Sequence, residues 1–233
     1  MSAQITTARL AGIFYLLLII TGMFSLMYVP TQLVVTSDPA LNLAQITAGQ
    51  DLYALGILVG FICFTLYLVL VTVIYPALAP HGATWARLMV LFVATSVPIS
   101  FLALAEQLQV LDLVAASVVP DGIADRVVAH IRGYYDLMAV ASIFWGLWLF
   151  PLGLLAWRAR MLPLVLAVAL MLGALGFLIE FIAPMFFDGF HGSLLATIVG
   201  APSSLGEIGT CLWLLFGPMK NLRAGPVEAG SES

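Results

Sequence analysis

The chain has 233 residues, 63% of them hydrophobic and 9% charged, with a mean hydropathy of +1.12. A soluble domain carries about a quarter charged residues, so this composition excludes a water-facing globule and makes the bilayer the natural solvent. The net charge of −4, without any basic run, excludes a nucleic-acid partner.

A transmembrane helix needs about 20 apolar residues. Six stretches qualify: Leu10–Val29, Leu52–Ala79, Trp85–Leu111, Gly133–Trp157, Met161–Ala183 and Leu194–Pro218. Arg9 precedes the first stretch, but its apolar length exceeds a signal-peptide core and no small-x-small cleavage site follows, so it reads as a retained span. "TSDPALNLAQITAGQ" (36–50) offers Ser37 as N-cap, Pro39 at the first helical position and Gly49 as a stop, which predicts a short helix on the outer face. In the second span, Gly56 and Gly60 lie four apart and would let a neighbouring helix approach closely. In the third, Pro98 removes one backbone donor and predicts a kink, with Thr95 and Ser96 able to bond freed carbonyls. "VPDGIADRVVAHIRGYYD" runs helically into the fourth span, and Pro151 lies nearer its inner end. "DGFHG" (188–192) after the fifth predicts an interfacial turn anchored by Phe186, Phe187 and Phe190. In the last span, Gly200 and Pro202 followed by two serines predict a break, with a fresh helix near Ser204.

With the N-terminus inside, the cytoplasmic segments hold Arg9, Arg87, Arg158, Arg160, Lys220 and Arg223, and the outer ones only Arg126 and Arg132. The positive-inside bias therefore places both termini in the cytoplasm. The expected fold is an all-α, polytopic membrane helical bundle of six transmembrane helices. Residues 1–220 form a single domain and residues 221–233 a disordered cytoplasmic tail. Cys63 and Cys211 stand far apart in apolar runs and read as small buried side chains.

Four acids fall inside these spans: Glu106, Asp136, Glu180 and Glu207. Ionisable groups inside a membrane are rare and mark functional sites by default. At about 1.5 Å of rise per residue, each acid lies roughly 20–31 Å from the arginine- or lysine-flanked end of its helix, in the outer half. Plainer roles compete. Arg132 precedes Asp136 by one turn and would pair with it. Gln107 and Gln109 beside Glu106 suit a helix end entering water. Ser204-x-x-Glu207 fits a capping box on the fresh half-helix. Glu180, in "LGFLIEFIAP", has no polar neighbour at all. Its candidate partners from "AHIRGYYD" are Arg132, His130, Tyr134 and Tyr135. A pair with Arg132 would lock it as a charge, whereas an apolar cavity would leave it holding a proton.

His130 and His191 belong to the outer side, yet no HxxxH or HExxH spacing exists, so no metal or other cofactor is expected. No GxSxG, P-loop or dinucleotide fingerprint is present.

Three stretches carry a resemblance: "ARLAGIFYLLLIITG", "SIFWGLWLFPLGLLAWRARMLPLVLAVALMLGALGFLIEF" and "GAPSSLGEIGTCLWLLFGPMK". Phe144, Gly146, Leu149, Gly153, Pro163, Gly173 and Gly176 form the most specific part, with Glu207, Trp213 and Gly217 at the end. On these residues the chain resembles the bacterial membrane family called domain of unknown function 4386. It departs after Arg87, where members often carry an acid and this chain has Met89 and Val90. The resemblance implies a multi-span protein, a bacterial cytoplasmic (inner) membrane location and no assigned activity.

The functional expectation is an acid-lined cavity in the outer half of the membrane that binds a lipophilic small molecule. Glu180, Glu207, Glu106 and Asp136 are its candidate acids and bases, in isoprenoid cyclase- or isomerase-like chemistry. His130, Arg132, Tyr134, Tyr135, Phe177 and Phe181 are the candidate ligand contacts, the aromatic faces suiting a carbocation. The alternatives are a proton-coupled transporter of a lipophilic solute and a non-catalytic membrane subunit or assembly factor.

Overall fold

Six helical stretches of the chain are long and apolar enough to cross a membrane: Ile5–Leu33, Gln50–His81, Ala83–Ala115, Ile123–Arg158, Leu164–Met185 and Leu194–Phe216. They belong to a computed structural model that describes residues 2–34, 39–116, 122–190 and 192–218, the side chains of 2–4 and 39 excepted. In chain order the helices are α1 (Ser2–Gly22), a π-helix (Met23–Tyr28), α2 (Val29–Leu33), α3 (Pro39–Ala48), α4 (Gln50–Leu78), α5 (Ala83–Ala115), α6 (Ile123–Arg158), α7 (Leu164–Ile182) and α8 (Leu194–Phe216). The architecture is all-α. The expected Ser37 cap, His191 and the tail at 221–233 lie outside the described residues.

Large apolar side chains stand exposed along the helices: Leu164, Leu172 and Leu175 on α7, Leu205 and Phe216 on α8, Leu58 on α4. In water such surface would drive aggregation; in lipid it is the ordinary outer face of a span.

The chain divides into two compact units. Unit 1 comprises Met1–Leu16, Leu68–Thr95 and Ser142–Ser233; unit 2 comprises Leu17–Tyr67 and Ser96–Ala141. Helices α1, α4, α5 and α6 contribute residues to both, α7 and α8 only to unit 1, and the π-helix, α2 and α3 only to unit 2.

In unit 1, α7 and α8 meet along small residues. A Cβ added to Gly173 would lie 2.6 Å from Ser203 Cα, one on Gly176 2.6 Å from the Val199 carbonyl, and one on Gly206 2.9 Å from Leu170 N. Small residues let membrane helices bring their backbones together, where packing replaces the missing hydrophobic drive. Arg9 closes the far end of α8: its Nη1 donates to Leu214 O and its Nη2 to Gly217 O, both at 2.8 Å. A guanidinium there satisfies last-turn carbonyls and complements the helix dipole.

Unit 2 is built around the π-helix. Val29 N–H reaches back to Phe24 O, one residue beyond the α-helical register. The wider turn sets the buried Ser25 so that its Oγ donates to Gly56 O at 2.8 Å. Pro30 follows with no N–H to give. Val29, Leu33, Ile46, Tyr53, Ile57 and Val110 pack into one apolar cluster, with Ile46 of α3 fully buried. Gly56 faces Val29, and Gly60 faces Leu104 and Ser25, the close approach that their spacing predicts.

Several expectations are corrected. No break interrupts the last span: α8 runs unbroken from Leu194 to Phe216 with Pro202 inside it. Unwinding would strand several backbone groups in a lipid setting, whereas proline forfeits one bond. Ser203 Oγ donates to Gly200 O at 2.7 Å within that turn. The N-cap is Ser193, whose side chain accepts from Ala196 N; Ser204 and Glu207 are helix-interior, so their capping box lapses. Phe190 is likewise no surface anchor. Gly189 at φ +79° reverses the chain and Phe190 turns inward to 5% exposure, while Phe186 and Phe187 stay exposed. In α5, which continues through Pro98, the Thr95 hydroxyl donates to Leu91 O at 2.8 Å and not to Ala94 O, the carbonyl that Pro98 leaves without its donor. Both cysteines are buried and free, Cys63 Sγ facing Leu18 O at 3.7 Å and Cys211 Sγ facing Gly12 O at 3.8 Å.

Candidate functional site

The four intramembrane acids separate by unit: Glu106 and Asp136 belong to unit 2, Glu180 and Glu207 to unit 1.

In unit 2, His130 Nδ1 of α6 lies 2.7 Å from Glu106 Oε2 of α5. Their side chains are 29% and 35% exposed. An ionised carboxylate accepts the imidazole N–H in this geometry, and a protonated carboxyl donates to the bare nitrogen, so either partner can carry the shared proton. Gly133, one turn after His130, makes room for the carboxyl: a Cβ there would lie 3.3 Å from Glu106 Cδ. His130 is thus the partner of Glu106, where sequence had offered it to Glu180.

The residues next along the same helices line a cleft. Gln107 follows Glu106 and Ile131 follows His130; with Tyr53, Tyr134, Tyr135 and Ser25 they border a cavity of about 10 Å³. That is room for one water-sized group. Tyr53 and Tyr134 are buried, whereas Tyr135 is 47% exposed, so the lining runs from the interior to the surface. The rings of Tyr134 and Tyr135 meet edge-on at 5.0 Å. No acid lines this cavity. Arg132 and Asp136 are both exposed on α6, and no ion pair joins them.

In unit 1, Tyr15 OH donates to Glu207 Oε2 at 3.2 Å, and the Trp148 ring stands 6.0 Å from the Tyr15 ring. Tyr15 is 1% exposed. Thr210, a turn past Glu207, is buried, and its Oγ1 has no hydrogen-bond partner among the described residues. Glu180 rests against Gly200 of α8, where an added Cβ would lie 2.6 Å from Glu180 Oε1. Gly200 and Glu207 are seven residues apart, about 10 Å along the helix, so Glu180 and Glu207 occupy different places on α8. Phe177 packs its Cβ onto Gly146, and Phe181 is half-buried. Among the described residues no three histidine, cysteine, aspartate or glutamate side chains gather as metal ligands do.

Sequence reasoning missed Tyr15, Tyr53, Ser25 and the π-helix. A usable signal was present for the last: Pro30, directly after the apolar run that ends at Val29, withholds the donor that Leu26 O would use, just after Ser25.

A family model described as domain of unknown function, DUF4386, matches residues 10–217. The chain belongs to this family. Searches of curated proteins and of solved structures give no match. Membership of the DUF4386 family agrees with a polytopic membrane protein and brings no activity with it.

Proposed function

We propose that residues 1–220 act as one six-helix domain of a bacterial cytoplasmic membrane, with both termini cytoplasmic, and that unit 2 binds the polar end of a lipophilic small molecule. The carrying observation is the Glu106–His130 hydrogen bond, next in sequence to the tyrosine- and glutamine-lined cleft. A cavity of about 10 Å³ takes a hydroxyl or carbonyl oxygen, not a whole ligand. The apolar body of the ligand then lies along the lipid-facing surface. Tyr53, Tyr134 and Gln107 supply hydrogen bonds to that oxygen. The Glu106–His130 pair does not border the cavity; it acts on a neighbouring part of the ligand, taking a proton from one carbon and returning it to another, as in an isomerase-like step. This reading gives Glu180, Glu207 and Asp136 no part in the chemistry.

The test is to purify the protein in detergent, extract it, and identify retained lipophiles by mass spectrometry, alongside Glu106→Gln and His130→Gln. The expected result is one retained compound class, lost from both folded variants. Wild-type protein that carries only bulk phospholipid, or variants that retain the compound fully, would overturn the reading.

A further inference from the structure

A second cavity lies in unit 1, away from the acids. It holds about 470 Å³ and is bordered by Trp157, Arg160, Pro163, Leu164, Trp213 and Pro218. Three long apolar helices end here: α6 at Arg158, α7 beginning at Leu164 and α8 at Phe216. Ends of spans lie at the height of lipid headgroups, and tryptophan is enriched at that level because its ring is apolar and its N–H polar. Trp213 shows that division, its Nε1 donating to Met161 O at 2.9 Å while its ring borders the cavity.

Arg160 is the one non-glycine residue with positive φ among those described, at +53°. It stands in the cap that ends α6, where Met161 N reaches back to Ala156 O at 2.8 Å and Arg160 N to Trp157 O at 2.9 Å. Glycine adopts this conformation without steric cost and an L side chain does not. An exposed guanidinium therefore sits at a position that favours glycine, on the rim of the cavity. On the other side α7 begins with Pro163 as N-cap and no side-chain cap bond. Its first-turn amides and dipole add positive potential to the guanidinium. Beyond them run the exposed Leu164 and Val165, a surface for acyl chains.

We infer that this cavity binds the phosphate headgroup of an anionic phospholipid. Arg160 holds the phosphate as a fork of donors, the indoles of Trp157 and Trp213 cover the glycerol region, and the acyl chains follow the apolar start of α7. The site is independent of the Glu106–His130 proposal, since every residue in it belongs to unit 1.

The experiment is native mass spectrometry of the full-length protein in detergent, titrated separately with phosphatidylglycerol and with phosphatidylcholine. Wild type should hold one phosphatidylglycerol at least ten-fold more tightly than phosphatidylcholine. Arg160→Gly, which relieves the left-handed backbone, should unfold at the same temperature or higher and lose the preference to within two-fold. Arg160→Lys should recover part of it, and Arg158→Gln, outside the cavity lining, should retain it. Equal affinity of wild type for both lipids, or full preference in Arg160→Gly, would overturn the inference. So would binding of glycerol phosphate as tight as that of the lipid, which would make the ligand a soluble phosphate.

Discussion

Gly173→Ala sets two effects of known size against each other. Alanine gains about 1 kcal/mol over glycine in a helix interior. The new methyl, however, would stand 2.6, 2.9 and 3.0 Å from Ser203 Cα, Cβ and N. Carbon contacts are most favourable at about 3.5–4.0 Å, so α7 and α8 would have to part by roughly 1 Å. Two of the three atoms are backbone, which has no rotamer to move into. Overpacking of this kind costs about 1–3 kcal/mol, and parting also loosens the contacts at Gly176 and Gly206 on the same seam. The net expectation is a loss of about 0–2 kcal/mol from these two terms, increased by the loosened contacts. Gly22→Ala is the control, because its Cβ would meet only Cys63 Sγ at an ordinary 3.5 Å; it should be neutral or stabilising by up to about 1 kcal/mol. Reversible unfolding in mixed detergent and dodecyl sulfate micelles, followed by tryptophan fluorescence, measures both. Equal stability of the two variants would refute the account of the α7–α8 seam.

The same assay serves three further tests. A double-mutant cycle on Glu106→Gln and His130→Ala should give a coupling of about 0.5–1 kcal/mol, modest because both side chains are about a third exposed; a coupling of zero would mean that the 2.7 Å pair contributes nothing. Tyr15→Phe removes the hydroxyl that donates to Glu207 and should cost about 1–3 kcal/mol, an expectation that fails if the variant unfolds with wild type. Thr210→Val replaces a buried hydroxyl lacking a partner among the described residues with a methyl of the same shape and should stabilise by about 1 kcal/mol; destabilisation would show that the hydroxyl is satisfied. Gly200→Ala pushes a methyl to within 2.6 Å of Glu180 Oε1, the mobile end of a side chain. The protein should still fold, and Glu180 should react faster with a lipid-soluble carbodiimide, read by peptide mass spectrometry; an unchanged rate would show that Gly200 does not seat it.

Length and hydropathy made the spans legible, because a bilayer leaves the backbone little choice but helix over any apolar run long enough to cross it. The short helix at Pro39–Ala48 was legible for a local reason, proline at its start and glycine past its end. What failed was the inference from proline to a break. Pro202 removes one donor, but the cost of unwinding is set by the medium and by α7 packed alongside, neither of which appears in the residues around Pro202. The pairing of acids was illegible for a similar reason. Glu106 and His130 are 24 residues apart, and Tyr15 and Glu207 are 192 apart. Depth along a helix can be counted from sequence; the face turned towards a neighbour depends on packing that only the folded chain supplies.

Two of the acids share a feature that bears on how they act. Glu106 and Glu180 each press a carboxyl against a glycine of an adjacent helix, Gly133 and Gly200. A glycine at such a contact lets the carboxyl lie against main chain, where a larger residue would push it outwards. Glu106 has His130 a turn from its glycine, so a proton there has two acceptors within 2.7 Å of each other. Glu207 has a different neighbour, a buried phenol that donates one hydrogen bond and is a far weaker base than imidazole. Proton exchange needs a partner with a free lone pair to take the proton and an N–H to give it back, which the two nitrogens of an imidazole supply and a phenol that is already donating does not. On that ground the proposed proton transfer is assigned to Glu106 and His130, although Glu180 is the acid whose sequence surroundings explain it least.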